Sequence, residues 1–307
     1  MPRYVFFLSI FQFFLISVDA QSDSAVVVNA TWEVIKVAPG IKLKHCSFDS
    51  SLFGSNQNIN ILEVKLNHKN RVKLGVEPQK LKATGDFGTE HQAVAAINGT
   101  FFDMKNGGSE DYIRLDGKVI NETRVKPGGK RSFHQQAAIV IDHNKISIVR
   151  WDSSGNWEDR LTGSDVMVSG PLLIHAGQTI SWDTAGGFFR RNPRSAVGIR
   201  KNILYLIAVD GRNARAAGMT ISELTRLVKW MKMPEAINLD GGGSTTLWVR
   251  NYPYGGVVNH PSDNRQWTHT DAYKAGMDLD NLPADAQKWD HTGERPVANV
   301  ILIERGR

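Results

Sequence analysis

The stretch Ile237–Val249, "INLDGGGSTTLWV", decides how the rest of the chain is read. An apolar run leads into Asp240, three glycines and three hydroxyl residues follow, and a second apolar run begins at Leu247. Apolar residues on both sides of a short polar break read as two buried strands joined by a turn. Three consecutive glycines strip that turn of side chains, so the main chain can approach a ligand closely and adopt positive φ. Successive N–H groups in such a turn form a concavity that attracts anions. An acid at the end of the strand would project into the same place. A plain connection between strands needs at most a Gly pair, so the triple glycine behind a strand-end acid favours a site. It is not a nucleotide-binding P-loop, because no Gly-Lys-Ser/Thr and no helix follow.

Outward from this turn, short apolar segments punctuated by turn residues dominate. Residues 59–66 (INILEVKL) and 72–76 (VKLGV) read as strands. Residues 113–120 (IRLDGKVI) place Asp-Gly between apolar pairs, the strongest short hairpin signal. Residues 137–141 and 146–151 form another hairpin, 166–181 fold back at Ala176-Gly177, and 196–211 turn at Lys201-Asn202. Residues 236–239 and 297–303 supply further strands. One helix is plain: Thr220 and Glu223 make a capping box, and Leu224, Leu227, Val228 and Met231 recur at helical spacing until Pro234 stops them. A weaker helical pattern falls at 89–95. Many hairpins with few helices predict an α+β fold of largely antiparallel sheets in a single compact domain.

Residues 4–18 are almost wholly apolar, follow Arg3 and end near a small-residue junction at Ala20. That is the pattern of a signal peptide over 1–20, and about 15 apolar residues fall short of the roughly 20 that span a bilayer. The expectation is a secreted or periplasmic protein with no stable membrane anchor after cleavage. It would consist of an N-terminal segment at 21–37 and one functional domain at 38–307. The net charge is +6, yet the basic residues are scattered, so an anionic small substrate or a polyanionic surface is expected and no nucleic acid. Cys46 is the only cysteine, which excludes an internal disulfide and a thiolate zinc site and reads as a small buried residue. Residues 259–296 form a long polar stretch, a candidate lid whose Trp267, Tyr273 and Trp289 incline toward sugar contact.

A second acid-glycine turn, Asp210-Gly211-Arg212, ends another strand. Arg194 opens the strand before it, beside Arg190 and Arg191, where a guanidinium could fork onto a phosphate. Asn98 follows the apolar "AVAAI" and, if buried, needs a polar partner. Phe101 and Phe102 after it read as core. No HExxH and no G-x-S-x-G occurs, which removes the usual zinc protease and α/β-hydrolase readings. Asp278 and Asp280 lack the rest of an EF-hand loop.

Six segments occur in order: "AVAAINGTFF" (93–102), "RSAVGI" (194–199), "AVDGR" (208–212), "INLDGGGSTT" (237–246), "NHPSDN" (259–264) and "ERPVAN" (294–299). Together they resemble the phosphodiester glycosidase family over roughly residues 38 to 305, with the NLDGGGS block the most specific part. The resemblance implies hydrolysis between the anomeric carbon of a sugar and a phosphate oxygen. A phosphomonoester leaves readily, so such a site needs an anion cradle and a carboxylate facing the cationic anomeric centre. On that reading Gly241, Gly242, Gly243 and Ser244 cradle the phosphate with Arg194, and Arg212 adds to substrate binding. Asp240 acts as nucleophile or base, and Asp210 is the second carboxylate, orienting or acting as base. Asn98 and Asp263 serve sugar hydroxyls or support the site. No cofactor is required and no metal site is predicted, although Ca²⁺ or Mg²⁺ could bridge an Asp and the phosphate. The rivals are a non-catalytic carbohydrate- or phosphoglycan-binding protein and a phosphodiesterase cutting P–O, which usually wants a metal pair.

Overall fold

Turn chemistry sorts the apolar segments into strands as expected, and the computed structural model describes residues 22–125, 130–183, 186–264 and 288–306. In chain order the strands are β1 (Glu33–Ala38), β2 (Ile41–Leu52), β3 (Ser55–Lys65), β4 (Asn70–Val76), β5 (Ala95–Asn98), β6 (Ile113–Leu115), β7 (Lys118–Asn121), β8 (Ala137–Asp142), β9 (Lys145–Arg150), β10 (Asp165–Ser169), β11 (Leu172–His175), β12 (Gln178–Thr179), β13 (Arg194–Arg200), β14 (Ile203–Val209), β15 (Glu235–Asn238), β16 (Leu247–Val249) and β17 (Asn299–Arg305). Three α-helices join them among the described residues: α1 (Asp23–Val28), α2 (Thr84–Glu90) and α3 (Ile221–Trp230). The fold is α+β, a single domain built mostly of antiparallel sheet.

Three sheets share one core. Their strand orders are β1-β2-β3-β14-β13-β15-β11-β12, β7-β6-β10-β8-β9 and β16-β5-β17-β4. The two-residue period of a strand divides each sheet into an inner and an outer face. Leu204, Leu206 and Ala208 of β14 face the common core, whereas Tyr205, Ile207 and Val209 face α3. Ile301 and Ile303 of β17 face inward, and Val300 and Leu302 pack outward on Phe87 of α2 and Trp248. Ile139 and Ile141 of β8 point in, and Ala138 and Val140 point out toward Tyr112 and Trp157.

Helix α3 carries the expected capping box, with Glu223 N–H donating to Thr220 Oγ1 and Thr220 N–H to Glu223 Oε2. Its Leu224, Leu227 and Val228 seal the outer face of the largest sheet. The second helix lies at Thr84–Glu90, not at 89–95, where the chain turns into β5. Two glycines disguise it, because glycine weakens a helix interior by about 1 kcal/mol relative to alanine. They are there for Trp248, whose ring lies against Gly85 and Gly88. The segment at 21–37 forms α1 and the edge strand β1, with Val27 buried and Asp23 accepting from Phe53 N–H at 2.8 Å. Cys46 is buried. The proposed signal segment and most of the candidate lid, including Trp267, Tyr273, Asp278 and Asp280, lie outside the described residues. Among the described residues no helix is long and apolar enough to cross a membrane.

A Cβ at Gly88 would stand 2.5 Å from Trp248 Cζ3. Gly88→Ala should therefore destabilise the fold by about 1–3 kcal/mol, the usual range for overpacking, in a urea denaturation series. Gly155→Ala, where nothing lies within 4 Å, should shift stability by less than about 0.5 kcal/mol.

Candidate active site at a sheet seam

The DGGGST turn leaves β15 in the eight-stranded sheet and delivers the chain to β16 in the four-stranded one. It therefore crosses a seam and is no ordinary hairpin turn. Asn98, at the end of β5, is fully buried and staples the seam. Its Nδ2 donates to Asp240 O at 2.7 Å, and its Oδ1 accepts from Ser195 Oγ at 2.5 Å and Thr246 N at 3.2 Å. Asp240 N–H donates in turn to Gly99 O at 3.0 Å. Asn98 thus supports Asp240, and its wholly buried side chain presents no surface to a sugar hydroxyl.

Asp240 sits deep, with part of its surface open to a cleft of about 260 Å³ that Gly187, Phe188, Asn192, Arg194, Arg212, Gly241 and Gly242 also line. Burial pushes its carboxyl above the usual range. The Ser244 hydroxyl, the Gly241 N–H bonded to its Oδ1 at 2.9 Å, Arg295 and His134 all pull the other way. Ser244 Oγ is close enough to favour the charged form but makes no hydrogen bond among the described residues, and neither do the buried hydroxyls of Thr245 and Thr246.

Of the four amides expected to form an anion-binding concavity, three are engaged within the turn. Gly241 N–H is taken by Asp240, Gly242 N–H by Pro193 O at 2.9 Å, and Ser244 N–H by Gly241 O at 3.3 Å. These three amides are spent inside the turn, and of the four residues only Gly243 keeps an N–H without an acceptor among the described residues. What the missing side chains permit is close approach. Gly242 has φ +61° with Arg212 Nη2 2.9 Å from where a Cβ would stand, and a Cβ on Gly243 would be 2.5 Å from Arg295 Cζ. The glycines therefore draw guanidinium groups onto the turn, and the positive charge in the cleft comes from side chains. Gly243 and Ser244 are themselves buried.

Arg194 is a correction of the same kind. It is 1 % exposed, and Nε donates to Met219 O while Nη2 donates to Phe188 O and Arg190 O. With two of its nitrogens on carbonyls it cannot fork onto a phosphate, though its charge borders the cleft. Burial, with Arg212 beside it, lowers the guanidinium to about 10, still cationic at neutral pH. Arg212, exposed, donates to Asn192 Oδ1 at 3.0 Å at the cleft wall. Arg191, from the same cluster, pairs with Glu223 of the capping box at 2.7 Å.

Asp210 is wholly buried, and both carboxylate oxygens are engaged. Oδ1 accepts from His260 N at 2.8 Å and Asn259 Nδ2 at 3.2 Å, and Oδ2 meets His260 Nδ1 at 2.9 Å. It cannot act as a base itself; it orients His260. That imidazole lies between Trp289 at 3.8 Å and His291 at 4.4 Å. Trp289 is thus committed to a stack that ties 259–264 to the chain before β17. Asp263 forms a two-point pair with Arg295, at 2.7 and 3.1 Å, and so holds the cation that Asp240 feels.

Three groups near Asp240 escape sequence reading. Arg295 is one. His134, bonded to Asp111 at 2.6 Å, is the second. Glu110 is the third; burial, followed by the negative charge of Asp111, raises its carboxyl, and Asp240 adds to the effect. Phe102 is core, as expected, but Phe101 is only half-buried and packs on His134 at 4.4 Å and Phe188 at 5.8 Å. Among the described residues no group of three or more His, Cys, Asp or Glu is arranged to hold a metal ion.

Residues 91–304, most of the chain, match a protein family described as phosphodiester glycosidase. N-acetylglucosamine-1-phosphodiester alpha-N-acetylglucosaminidase of Mus musculus is 28% identical over 180 residues, covering 56% of this chain and 34% of its own length. The Bos taurus protein of the same name is 26% identical over 180 residues, covering 56% and 33%. The matched stretch is about a third of the length of these curated relatives. Among solved structures, the catalytic domain of the zebrafish protein of that name, auto-inhibited by its pro-peptide, is similar with a TM-score of 0.60 at 21% identity, covering 90% of this chain and 88% of that one. A hypothetical protein from Synechocystis gives a TM-score of 0.60 at 13% identity, covering 90% and 64%. At those identities the likeness speaks for the fold.

A buried acid with a raised pKa destabilises the fold once ionised. Below about pH 4, the unfolded value, folded and unfolded states both hold the proton. As pH rises through the raised folded value the unfolded state ionises first, and stability is lost. Asp240→Asn keeps an acceptor for Gly241 N–H and should raise Tm at pH 7, with the gain shrinking toward zero below about pH 4. Thermal unfolding across that range checks it; an unchanged or lowered Tm at pH 7 would contradict it.

Proposed function

The chain belongs to the phosphodiester glycosidase family, and from that premise we propose that it hydrolyses the C1–O bond of a sugar-1-phosphodiester. The products are a free sugar and a phosphomonoester. The observation that carries this reading is the shared cleft of Asp240, Arg194 and Arg212. A partly accessible carboxylate beside two cations suits a substrate that is anionic at phosphorus and becomes cationic at carbon as the bond breaks.

In this reading Arg212 receives the phosphate oxygens, and the buried charge of Arg194 strengthens the attraction at short range. Asp240 faces C1 and stabilises the oxocarbenium-like transition state. Arg295, held by Asp263, favours the ionised form of Asp240 against its burial. The phosphate leaves with the bonding electron pair and needs little proton help, because a phosphomonoester is a weak base. The apolar run at 4–18 supports an exported protein, secreted or periplasmic, that meets its substrate outside the cytoplasm.

Turnover of a sugar-1-phosphodiester in ¹⁸O water tests the bond broken. Label in the sugar is the expected result, with or without chelator; label in the phosphate would mean P–O cleavage and end the reading. Arg212→Ala should lower kcat/KM about tenfold to a hundredfold, the worth of one charged hydrogen bond, without changing the position of the label.

A further inference from the structure

We propose that His134, held by Asp111, is the proton-transfer residue of this site, taking the proton from the water that attacks the anomeric carbon. The inference rests on the glycosidic reading above and deepens it. Asp111 is wholly buried, and its carboxylate meets His134 Nδ1 at 2.6 Å and accepts from Gln135 Nε2 at 3.0 Å. An ionised carboxylate has no proton to give, so Nδ1 carries the hydrogen and Nε2 presents a lone pair. The imidazole keeps 13 % of its side-chain surface exposed, tilted against Phe101 at 4.4 Å and edge-on to Phe133 at 5.1 Å.

The main chain at 99–101 joins this pair to the site. Gly99 O accepts from Asp240 N–H at 3.0 Å, and Phe101 O accepts from Glu110 N–H at 3.0 Å. The ring of Phe101 packs on the imidazole and on Phe188 of the cleft wall, so one short segment contacts Asp240, Glu110 and His134 beside the cleft. Once His134 has taken a proton, its charge favours the ionised forms of both Asp240 and Glu110, which puts the three groups near one another. The second carboxylate–imidazole pair, Asp210 with His260, is clamped between Trp289 and His291 and closes the base of the 259–264 segment.

The step balances without a further reactant. The water oxygen bonds to C1 as the bond from C1 to its leaving oxygen breaks, and the electron pair goes to that oxygen. The water proton passes to His134 Nε2, and Asp111 stabilises the imidazolium until it returns the proton to solvent. The leaving oxygen is the phosphate's in a single displacement, or that of Asp240 if the sugar is first transferred to it. Either way Asp240 faces carbon and His134 handles the proton.

The test is the pH dependence of kcat and KM for wild type, His134→Gln and Asp111→Asn on a sugar-1-phosphodiester, with added imidazole as a rescue arm. His134→Gln should lower kcat about 10²- to 10⁴-fold, the usual worth of a general base. KM should change little, the limb of the pH profile that reports the base should disappear, and imidazole should restore part of the rate. Asp111→Asn should lower kcat while leaving the limb displaced, and it carries the test should His134→Gln fail to fold. A kcat within about threefold of wild type in His134→Gln, or a lower rate with the limb intact and no rescue, would overturn the proposal while leaving the glycosidic reading standing. Wild type that releases no labelled sugar would end both.

Discussion

One buried amide holds the site together. Asn98 bonds through its side chain to the carbonyl of Asp240, the amide of Thr246 and the hydroxyl of Ser195. Those partners come from the turn, from the start of the four-stranded sheet's edge strand, and from the central strand of the eight-stranded sheet. Each would otherwise be a buried polar group without a partner, at about 1–3 kcal/mol apiece. Because the amide satisfies all of them at once, the seam has a single low-energy geometry, and the Asp240 carboxylate is placed by main chain and not by loop chance. The glycines follow from the same constraint. A turn pinned at both ends by one residue lies tight against Pro193 and beneath Arg295 and Arg212, and there is no room for side chains.

Burial and charge then oppose one another at Asp240. Burial favours the neutral acid, whereas chemistry at an anomeric centre wants the carboxylate. Arg295 is fixed by Asp263 and Arg194 by three carbonyls, so their charges act at full strength without reorganising when a reaction begins. Asp210, read first as a second carboxylate that orients or acts as base, and Asp263, read as serving sugar hydroxyls or supporting the site, each bind a neighbour, an imidazole and a guanidinium.

Local signals were enough wherever the determinant was local. Hairpin turns at Asp116-Gly117, Ala176-Gly177 and Lys201-Asn202 and the capping box of α3 were legible because a few adjacent residues decide them. Helix α2 was hidden by glycines whose reason is the ring of Trp248, far along the chain. Asp240, Arg194 and Arg212 were legible as strand-end residues, and they do share a cleft. The engagement of the Gly241 and Gly242 amides by Asp240 and Pro193 was not, because sequence spacing does not show who accepts a given N–H. His134, Glu110 and Arg295 come from segments with no periodicity linking them to the turn. Arg295 and His260 lay within the ordered motifs "ERPVAN" and "NHPSDN" and could have been singled out there. His134 had no such signal.

The central claim is that Asp240 faces the anomeric carbon while Arg212, beside the buried charge of Arg194, holds the phosphate. A crystal structure of Asp240→Asn soaked with a sugar-1-phosphodiester tests it most directly. The account predicts phosphate oxygens on Arg212 near Arg194, with C1 about 3–3.5 Å from the side chain at position 240, a near-attack distance. Phosphorus and not C1 against that side chain, or a ligand bound away from this cleft, would contradict it.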